Sequence, residues 1–418
     1  MPRIADTRLK FMLDSFGAVC VEGPKWCGKT WVSLNQCNSA TLIGDPRNNF
    51  ETRNRVMIDV DYAFRGDRPH LIDEWQEVPS LWDATRFNVD KYNEKGIYVL
   101  TGSSTPIYKG IYHSGAGRIG RMRMRTMSLY ESGDSDGSVT LSSIFDGTFS
   151  GTDPKEVSLE RLIYLTVRGG WPGNIGIEAH NAEESVRNYL LTVVEDASRL
   201  DGIFRISDKI AMVIRSLACN ESMLASGSRI LTDISDNETG SISDKTLKEY
   251  MGVLDRLFII ENQPPFDPNM RPSIRVGKSV KRHLTDPALS AAALGFTCEM
   301  LEKDLLSYGF LFEAMCERNL QIYSEAIGGR LCHYRDGKGN KIDAVIELSD
   351  GRWGAFEIKL GANMIDEAAK NLVRLQKFFI ADGNARPPSV LCVICGMTSF
   401  AYRGADGVYV VPITSLKP

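Results

Sequence analysis

Val21-Glu-Gly-Pro-Lys-Trp-Cys-Gly-Lys-Thr-Trp31 is the stretch on which the fold of this chain turns. Ala18-Val-Cys-Val21 is a short apolar run suited to a buried parallel strand, and Thr30-Trp-Val-Ser-Leu can open a helix. Between them Gly23, Gly28, Lys29 and Thr30 fit G-x-x-x-x-G-K-[ST] in the strand–loop–helix setting that the pattern requires. Glycines let the main chain curl so that its amides face a shared anion, and the helix adds its positive N-terminal end. Lys29 then reaches the outer phosphates of a nucleotide, and Thr30 offers its hydroxyl to Mg2+. The run Gly23, Pro24, Lys25, Trp26, Cys27, Gly28, Lys29, Thr30 and Trp31 is therefore expected to surround ATP.

Arg68-Pro-His-Leu-Ile-Asp-Glu-Trp-Gln-Glu-Val-Pro79 supplies a second strand, ending in adjacent carboxylates. At the carboxyl end of a parallel strand beside the loop, Asp73 would hold the magnesium shell. Glu74 would orient and deprotonate water. A third strand, Gly96-Ile-Tyr-Val-Leu-Thr-Gly-Ser-Ser104, finishes in hydroxyls, of which Ser103 or Thr101 could sense a γ-phosphate. Arg118 and Arg121 lead into the alternating Arg121-Met-Arg-Met-Arg125. An arginine here could approach a γ-phosphate in its own subunit or a neighbour's, and a solvated strand face explains the alternation equally well.

The stretches "VEGPKWCGKT", "LIDEWQEVPSLWD" and "YVLTGSS", in that order, resemble the AAA-type ATPase family of bacteria and archaea that carries a separate C-terminal domain. Gln76 and Pro79 belong to that signature more than to phosphate-loop enzymes generally. The resemblance continues through "RGGWPG" (168–173), "YMGVLDRLFIIENQPPF" (250–266), "HLTDPALSAAALG" (283–295) and "GFLFEAMCERNL" (309–320), and so covers nearly the whole chain.

The 418 residues suffice for two or three domains, and 43% hydrophobic with 24% charged residues is the composition of a globular protein. A formal net charge of −4 announces no polyanionic partner, so any nucleic-acid surface has to be a local basic patch. No apolar run approaches a membrane span, and nine scattered cysteines fit reduced thiols, which together point to a cytoplasmic protein without membrane contact. Cys392-Val-Ile-Cys395 has redox-motif spacing but lies inside "SVLCVICG", which reads as a buried strand.

Polar, glycine-rich sequence at 133–138 and 146–156 marks a linker. The expected division is an ATPase domain over residues 1–150, a helical and winged-helix domain over 156–285, and a third domain over 286–418. From Leu159 to Leu231 the apolar spacing is mostly helical. Ser243 caps a helix presenting Leu247, Tyr250, Met251 and Leu254 on one face, followed by a strand at 257–260. That succession resembles a winged helix. Its candidate recognition helix carries Lys245 and Lys248 against Asp244, Glu249 and Asp255, a poor balance for reading DNA. Arg271, Arg275, Lys278, Lys281 and Arg282 form a better cluster for neutralising phosphates.

In the last third, Lys341–Glu347 and Trp353–Lys359 read as a hairpin turning at Asp350-Gly351. Asp343 starts one strand, while Glu357 and Lys359 project from one face of the other. This D…E-x-K pattern resembles PD-(D/E)XK nucleases, the fold that the family resemblance implies for the C-terminal domain. On that resemblance Asp343 and Glu357 would bind Mg2+, Glu313 would complete the metal shell, and Lys359 would orient water or stabilise transition-state charge. Gln376 and Lys377 are expected to face the same site. The whole reads as an α/β protein with a parallel-sheet P-loop domain, a helical and winged-helix segment and a restriction-endonuclease-like α/β domain. The function expected is Mg2+-dependent ATP hydrolysis whose ATP/ADP state controls a nuclease-like DNA-binding domain, in a homo-oligomer if an arginine acts between subunits. A nucleotide-regulated DNA-binding switch without cleavage and an ATP-dependent protein-interaction scaffold are the alternatives.

Overall fold

Helix α1 (Ile4–Ser15) leads into β1 (Ala18–Glu22), whose five residues are all buried between two neighbouring strands. The coordinates are a computed structural model that describes residues 2–105, 111–153, 156–237, 240–269 and 279–418. After β1 come α2 (Lys29–Leu34), β2 (Ser39–Leu42), α3 (Arg47–Ile58), β3 (His70–Asp73), α4 (Ser80–Tyr92), β4 (Tyr98–Gly102) and β5 (Ile119–Arg123). The strands form one parallel sheet in the order β2-β3-β4-β1-β5. Continuous apolar strands such as "AVCV" and "YVL" suit a sheet covered on both faces. Because β4 lies between β1 and β3, the hydroxyls at its end stand between the phosphate-loop strand and the acidic strand. The expected parallel-sheet N-terminal domain is present.

The alternation beyond Arg121 is a half-buried strand face. Met122 and Met124 join Leu9, Val19 and Val21 in the core, and the arginines point away from it. The next short elements, β6 (Val139–Thr140), α5 (Leu141–Phe145) and β7 (Gly151–Thr152), lie against the far end of the chain. Leu129, Val139, Leu141, Ile144 and Phe145 share a core with Tyr308, Phe312 and Phe356. Residues up to 150 were expected to close the first domain, but packing groups 139–152 with the C-terminal sheet. The physical reason is that "VTLSSIF" is too short to bury its own apolar side chains.

Helices α6 (Leu159–Arg168), α7 (Ala179–Arg199), α8 (Ser207–Cys219), α9 (Gly227–Asn237), α10 (Asp244–Arg256) and α11 (Pro287–Leu294) follow. Tyr189, Val213, Ile214, Ile230, Leu247, Leu254 and Leu289 unite α7 to α11 in one core. The Ser243 side chain accepts from the Thr246 amide at 3.1 Å, the expected cap of α10. Lys248 pairs with Asp244 along its exposed face at 2.7 Å. Beyond α10, antiparallel bridges join Ile260 to Leu284 and Gln263 to Lys281. Arg271, Arg275 and Lys278 lie outside the described residues. Lys281 is buried, and Arg282 donates to the Ala225 carbonyl and Asn262, so these two expected phosphate ligands turn into the protein.

After α12 (Cys298–Lys303) and α13 (Leu305–Ala326), the chain forms β8 (Gly329–Arg335), β9 (Lys341–Leu348), β10 (Trp353–Gly361), α14 (Ile365–Asp382), β11 (Val390–Met397), β12 (Ala401–Arg403), β13 (Tyr409–Pro412) and β14 (Leu416–Lys417). A seven-stranded mixed sheet runs β7-β12-β13-β11-β10-β9-β8, and β14 pairs separately with β6. Its faces alternate, except at the start of β9, where Ile342 and Ala344 fall into opposite cores beside an irregularity in the β8–β9 pairing. Ala344, Ile346, Phe356 and Ile394 meet α13, whereas Val345, Trp353 and Val393 meet α14. Cys392 and Cys395, three residues apart on β11, fall into these two opposite cores and are both free. Burial raises both thiols, Cys395 to about 11. Alkylation of the native protein should leave both unlabelled while exposed Cys219 reacts, as read by peptide mass.

Candidate functional site

The loop between β1 and α2 is tightly constrained. A Cβ on Gly23 would stand 2.2 Å from the Met124 carbonyl oxygen, and Gly28 has a φ of +100°, so neither position accepts a side chain without strain. Lys29 is buried, and its ammonium donates to the carbonyls of Gly23 at 3.0 Å and Pro24 at 2.9 Å. From behind, Arg3 donates to the Cys27 carbonyl at 2.6 Å while paired with Glu131 at 2.8 Å. The loop is thus held in its curl by the rest of the domain.

Asp73 and Glu74 stand beside this loop with different surroundings. One Asp73 oxygen accepts the Thr30 hydroxyl at 2.9 Å and also the Thr101 hydroxyl. Burial raises the Asp73 pKa, with the two hydroxyls working against it. Glu74 occupies left-handed backbone space, φ 56°, and its amide donates to Thr101 at 3.2 Å. Its carboxylate accepts from Ser103 at 3.0 Å and from the Gln76 amide. Gln76, read from sequence only as part of a signature, therefore holds the carboxylate of Glu74. Thr30 and Asp73 present adjacent hard oxygens next to the curled loop, a donor set that fits Mg2+ shared with phosphate oxygens.

These groups open into a cleft of about 850 Å³ whose other wall is the helical domain. Lys29, Thr30, Glu74 and Ser103 line one side, and Trp171, Asn174 and Tyr189 the other. The indole of Trp171 and the hydroxyl of Tyr189 each donate to the Lys25 carbonyl at 3.3 Å. Lys25 also pairs with Asp196 at 2.8 Å. Trp171 comes from "RGGWPG", a motif without a role in the sequence reading, while Tyr189 and two further lining residues, Phe50 and Arg53, carried no sequence signal. Replacing Trp171 with Phe keeps the ring and removes one bond to the loop. Nucleotide affinity is expected to fall about threefold to tenfold, as read by calorimetry.

Arg118 and Arg121 do not line the cleft. Arg118 is exposed and paired with Asp90 at 2.8 Å. Arg121 pairs with Glu22 at 2.8 Å and lies over the Trp82 ring at 4.6 Å. Further along the same face, buried Arg125 joins three parts of the chain. It bonds Glu261 at 2.9 Å and Glu325 at 2.7 Å. Asp286, fully buried, makes a second junction. It accepts from Thr126 at 2.7 Å, the Gly170 amide at 3.0 Å and Arg318 at 2.5 Å.

In the C-terminal sheet Asp343, Glu357 and Lys359 do converge. Lys359 bonds Glu357 at 2.8 Å and Asp343 at 3.3 Å. Burial opposes the Lys359 charge, but the two carboxylates outweigh it and hold its pKa above the ordinary value. Burial and Asp343 push Glu357 up. Neither Gln376 nor Lys377 reaches this cluster: Gln376 donates to the Pro388 carbonyl at 3.3 Å and Lys377 is exposed. Asn371, one turn earlier on α14, bonds Glu357 at 2.9 Å instead. Glu313, on α13, accepts from Lys281 at 2.5 Å, and the same ammonium meets the Asp343 carbonyl at 3.3 Å, so a lysine rather than a free carboxylate edge faces this strand. Among the described residues no three His, Cys, Asp or Glu side chains are grouped to hold a metal ion. The expected Asp343, Glu357 and Glu313 shell does not fit a divalent ion as these residues stand.

Residues 15–132 match the model of a family described as "AAA domain". Residues 159–299 and 308–416 match two domains of unknown function, DUF8612 and DUF4143. Two uncharacterized proteins, Mb2031c of Mycobacterium bovis and Rv2008c of Mycobacterium tuberculosis, are each 23% identical over 365 residues, which is 85% of this chain and 73% of theirs. Among solved structures, the Walker-type ATPase PABY2304 of Pyrococcus abyssi is 13% identical, covering 69% of this chain and 94% of that one with a TM-score of 0.43. The Aeropyrum pernix ORC1 protein in complex with DNA is 14% identical over 70% of this chain and 92% of its own, with a TM-score of 0.22. The match over 15–132 supports an AAA-type P-loop domain, with the nucleotide binding that such a domain carries, and agrees with the strand order. No helix among the described residues is long and apolar enough to cross a membrane.

Proposed function

We propose that this chain, with its AAA-type P-loop domain as premise, binds ATP with Mg2+ in the cleft against the helical domain, hydrolyses it, and passes the nucleotide state to its C-terminal domain. One observation carries the reading: Lys29, Thr30, Glu74 and Ser103 line a single cleft at the carboxyl ends of parallel strands, with Asp73 bonded to Thr30. Lys29 exchanges the Gly23 and Pro24 carbonyls for phosphate oxygens. Thr30 and Asp73 would hold Mg2+, which when bound offsets charge on the phosphates. Glu74, its carboxylate fixed by Ser103 and Gln76, accepts the proton of the attacking water.

The link to the rest of the protein runs through the Lys25 carbonyl, which Trp171 and Tyr189 grip. Immediately before Trp171, Gly170 is tied to Asp286 and so to Arg318 on α13. For the C-terminal domain, the sheet between α13 and α14 and the convergence of Asp343, Glu357 and Lys359 support a PD-(D/E)XK-like reading. Its role is to bind DNA under nucleotide control. A protein-interaction scaffold is the second reading, favoured by the inward turn of Lys281 and Arg282.

Calorimetric titration with ATP in Mg2+ tests the first part, and an absence of heat from every purine nucleotide overturns it. Titration with duplex DNA at increasing salt tests the second. DNA binding through phosphates weakens steeply as salt rises, and a protein that shows no such binding in any nucleotide state is the scaffold.

A further inference from the structure

The motif Asp343, Glu357, Lys359 implies a metal, and the geometry disagrees. We infer that Lys281, delivered by the central domain, is the resident cation of the C-terminal acidic cluster, and that divalent metal stays out while it is seated. The position of Lys281 is fixed by its backbone. Its amide donates to the Gln263 carbonyl at 3.0 Å, and the Gln263 amide returns the bond at 2.9 Å. From that register the side chain enters the cluster, 7% exposed, and its ammonium meets Glu313 at 2.5 Å, Glu317 at 2.6 Å and the Asp343 carbonyl at 3.3 Å. Two carboxylates and a main-chain carbonyl are the oxygen set a hard cation takes. Here a lysine takes them.

Lys359 neutralises the remaining two carboxylates, those of Asp343 and Glu357. His283 adds its ring to the same buried group, with Nδ1 at 2.8 Å from Glu221 and Nε2 at 3.4 Å from Glu317. A divalent ion placed among these oxygens would face the Lys281 ammonium in a region that excludes water, where repulsion is poorly screened. Burial works against the charge on Lys281, but Glu317, Glu313 and Asp343 outweigh it and keep the lysine protonated. Ammonium and metal are therefore alternative occupants. The lysine lies between α10 and α11, in a stretch of the helical domain that reaches the sheet where Pro265 meets His333, so its seating depends on how those two parts are docked.

This inference rests on the C-terminal cluster alone, and the ATP reading can fail without touching it. The test is titration of the nucleotide-free full chain with Mn2+, with free ion read by electron paramagnetic resonance. Wild type and Asp343→Asn should bind Mn2+ alike, since no site in either depends on that carboxylate. Lys281→Met should gain one site roughly tenfold tighter than any in wild type, with a Mn2+-dependent rise in melting temperature. Adding Glu313→Gln should remove the gain. Wild-type binding that Asp343→Asn abolishes would overturn the inference, as would a folded Lys281→Met protein that gains nothing. If Lys281→Met does not fold, the comparison of wild type with Asp343→Asn still decides.

Discussion

ATP turnover by the Glu74→Gln variant is expected to fall roughly 10²- to 10⁴-fold, the usual contribution of a positioned general base. The amide keeps the shape of the side chain and can still meet Ser103, but it cannot take a proton from water. Affinity for ATP should stay within about threefold, because Lys29, Thr30 and the loop are untouched. Phosphate release measured beside calorimetric binding separates the two effects. Undiminished turnover would show that the water-activating acid lies elsewhere, and loss of binding would show that Glu74 shapes the cleft instead. Since Gln76 and Ser103 hold the same carboxylate, Gln76→Ala should lower turnover by a smaller factor.

Loss of Arg125 should destabilise the protein more than any single change at the cleft. Its guanidinium is buried between Glu261 of the central part and Glu325 at the end of α13. Breaking a buried pair by removing one partner costs about 3–5 kcal/mol, because the remaining carboxylates lose their counter-charge. Arg125→Met should therefore lower the urea midpoint, with the loss concentrated in the transition that separates the P-loop domain from the other two. Arg125→Lys should restore only part, since an ammonium cannot bond both acids in the geometry of a planar fork. Replacing Glu261 and Glu325 by Gln in the Met background should recover stability. A change below about 1 kcal/mol would mean that the network is no better than a surface pair.

The arginines show what was readable and what was not. Arg121-Met-Arg-Met-Arg125 alternates as a strand face must, so its local structure was legible. Its purpose was not, because the partners Glu261 and Glu325 lie 136 and 200 residues away. No local pattern encodes a pairing at that range. The phosphate loop and the acids were legible for the opposite reason: strand, glycines, lysine and threonine act within one turn of chain. Trp171 and Tyr189 reach the same cleft from another domain, so only the assembled fold reveals them. At the C-terminal cluster, period-two spacing placed Glu357 and Lys359 together correctly. Glu313 was read as part of a metal shell, but its carboxylate is taken by Lys281, a partner 32 residues away that spacing along the helix does not show. Lys281 was read as a phosphate ligand since nothing in "GKSVKRH" marks it as a lysine that turns inward.

The pairing of Val139 with Leu416 has a consequence for how the molecule comes to exist. During synthesis the segment that becomes β6 leaves the ribosome long before its partner has been made. Its neighbour β7 likewise waits for β12. Until residues 401–417 have been made, both are bare edges of a sheet not yet built, which is the kind of exposed template that chaperones cover. The nucleotide domain can close early, but residues 401–417 are what lock the earlier middle of the polypeptide into place.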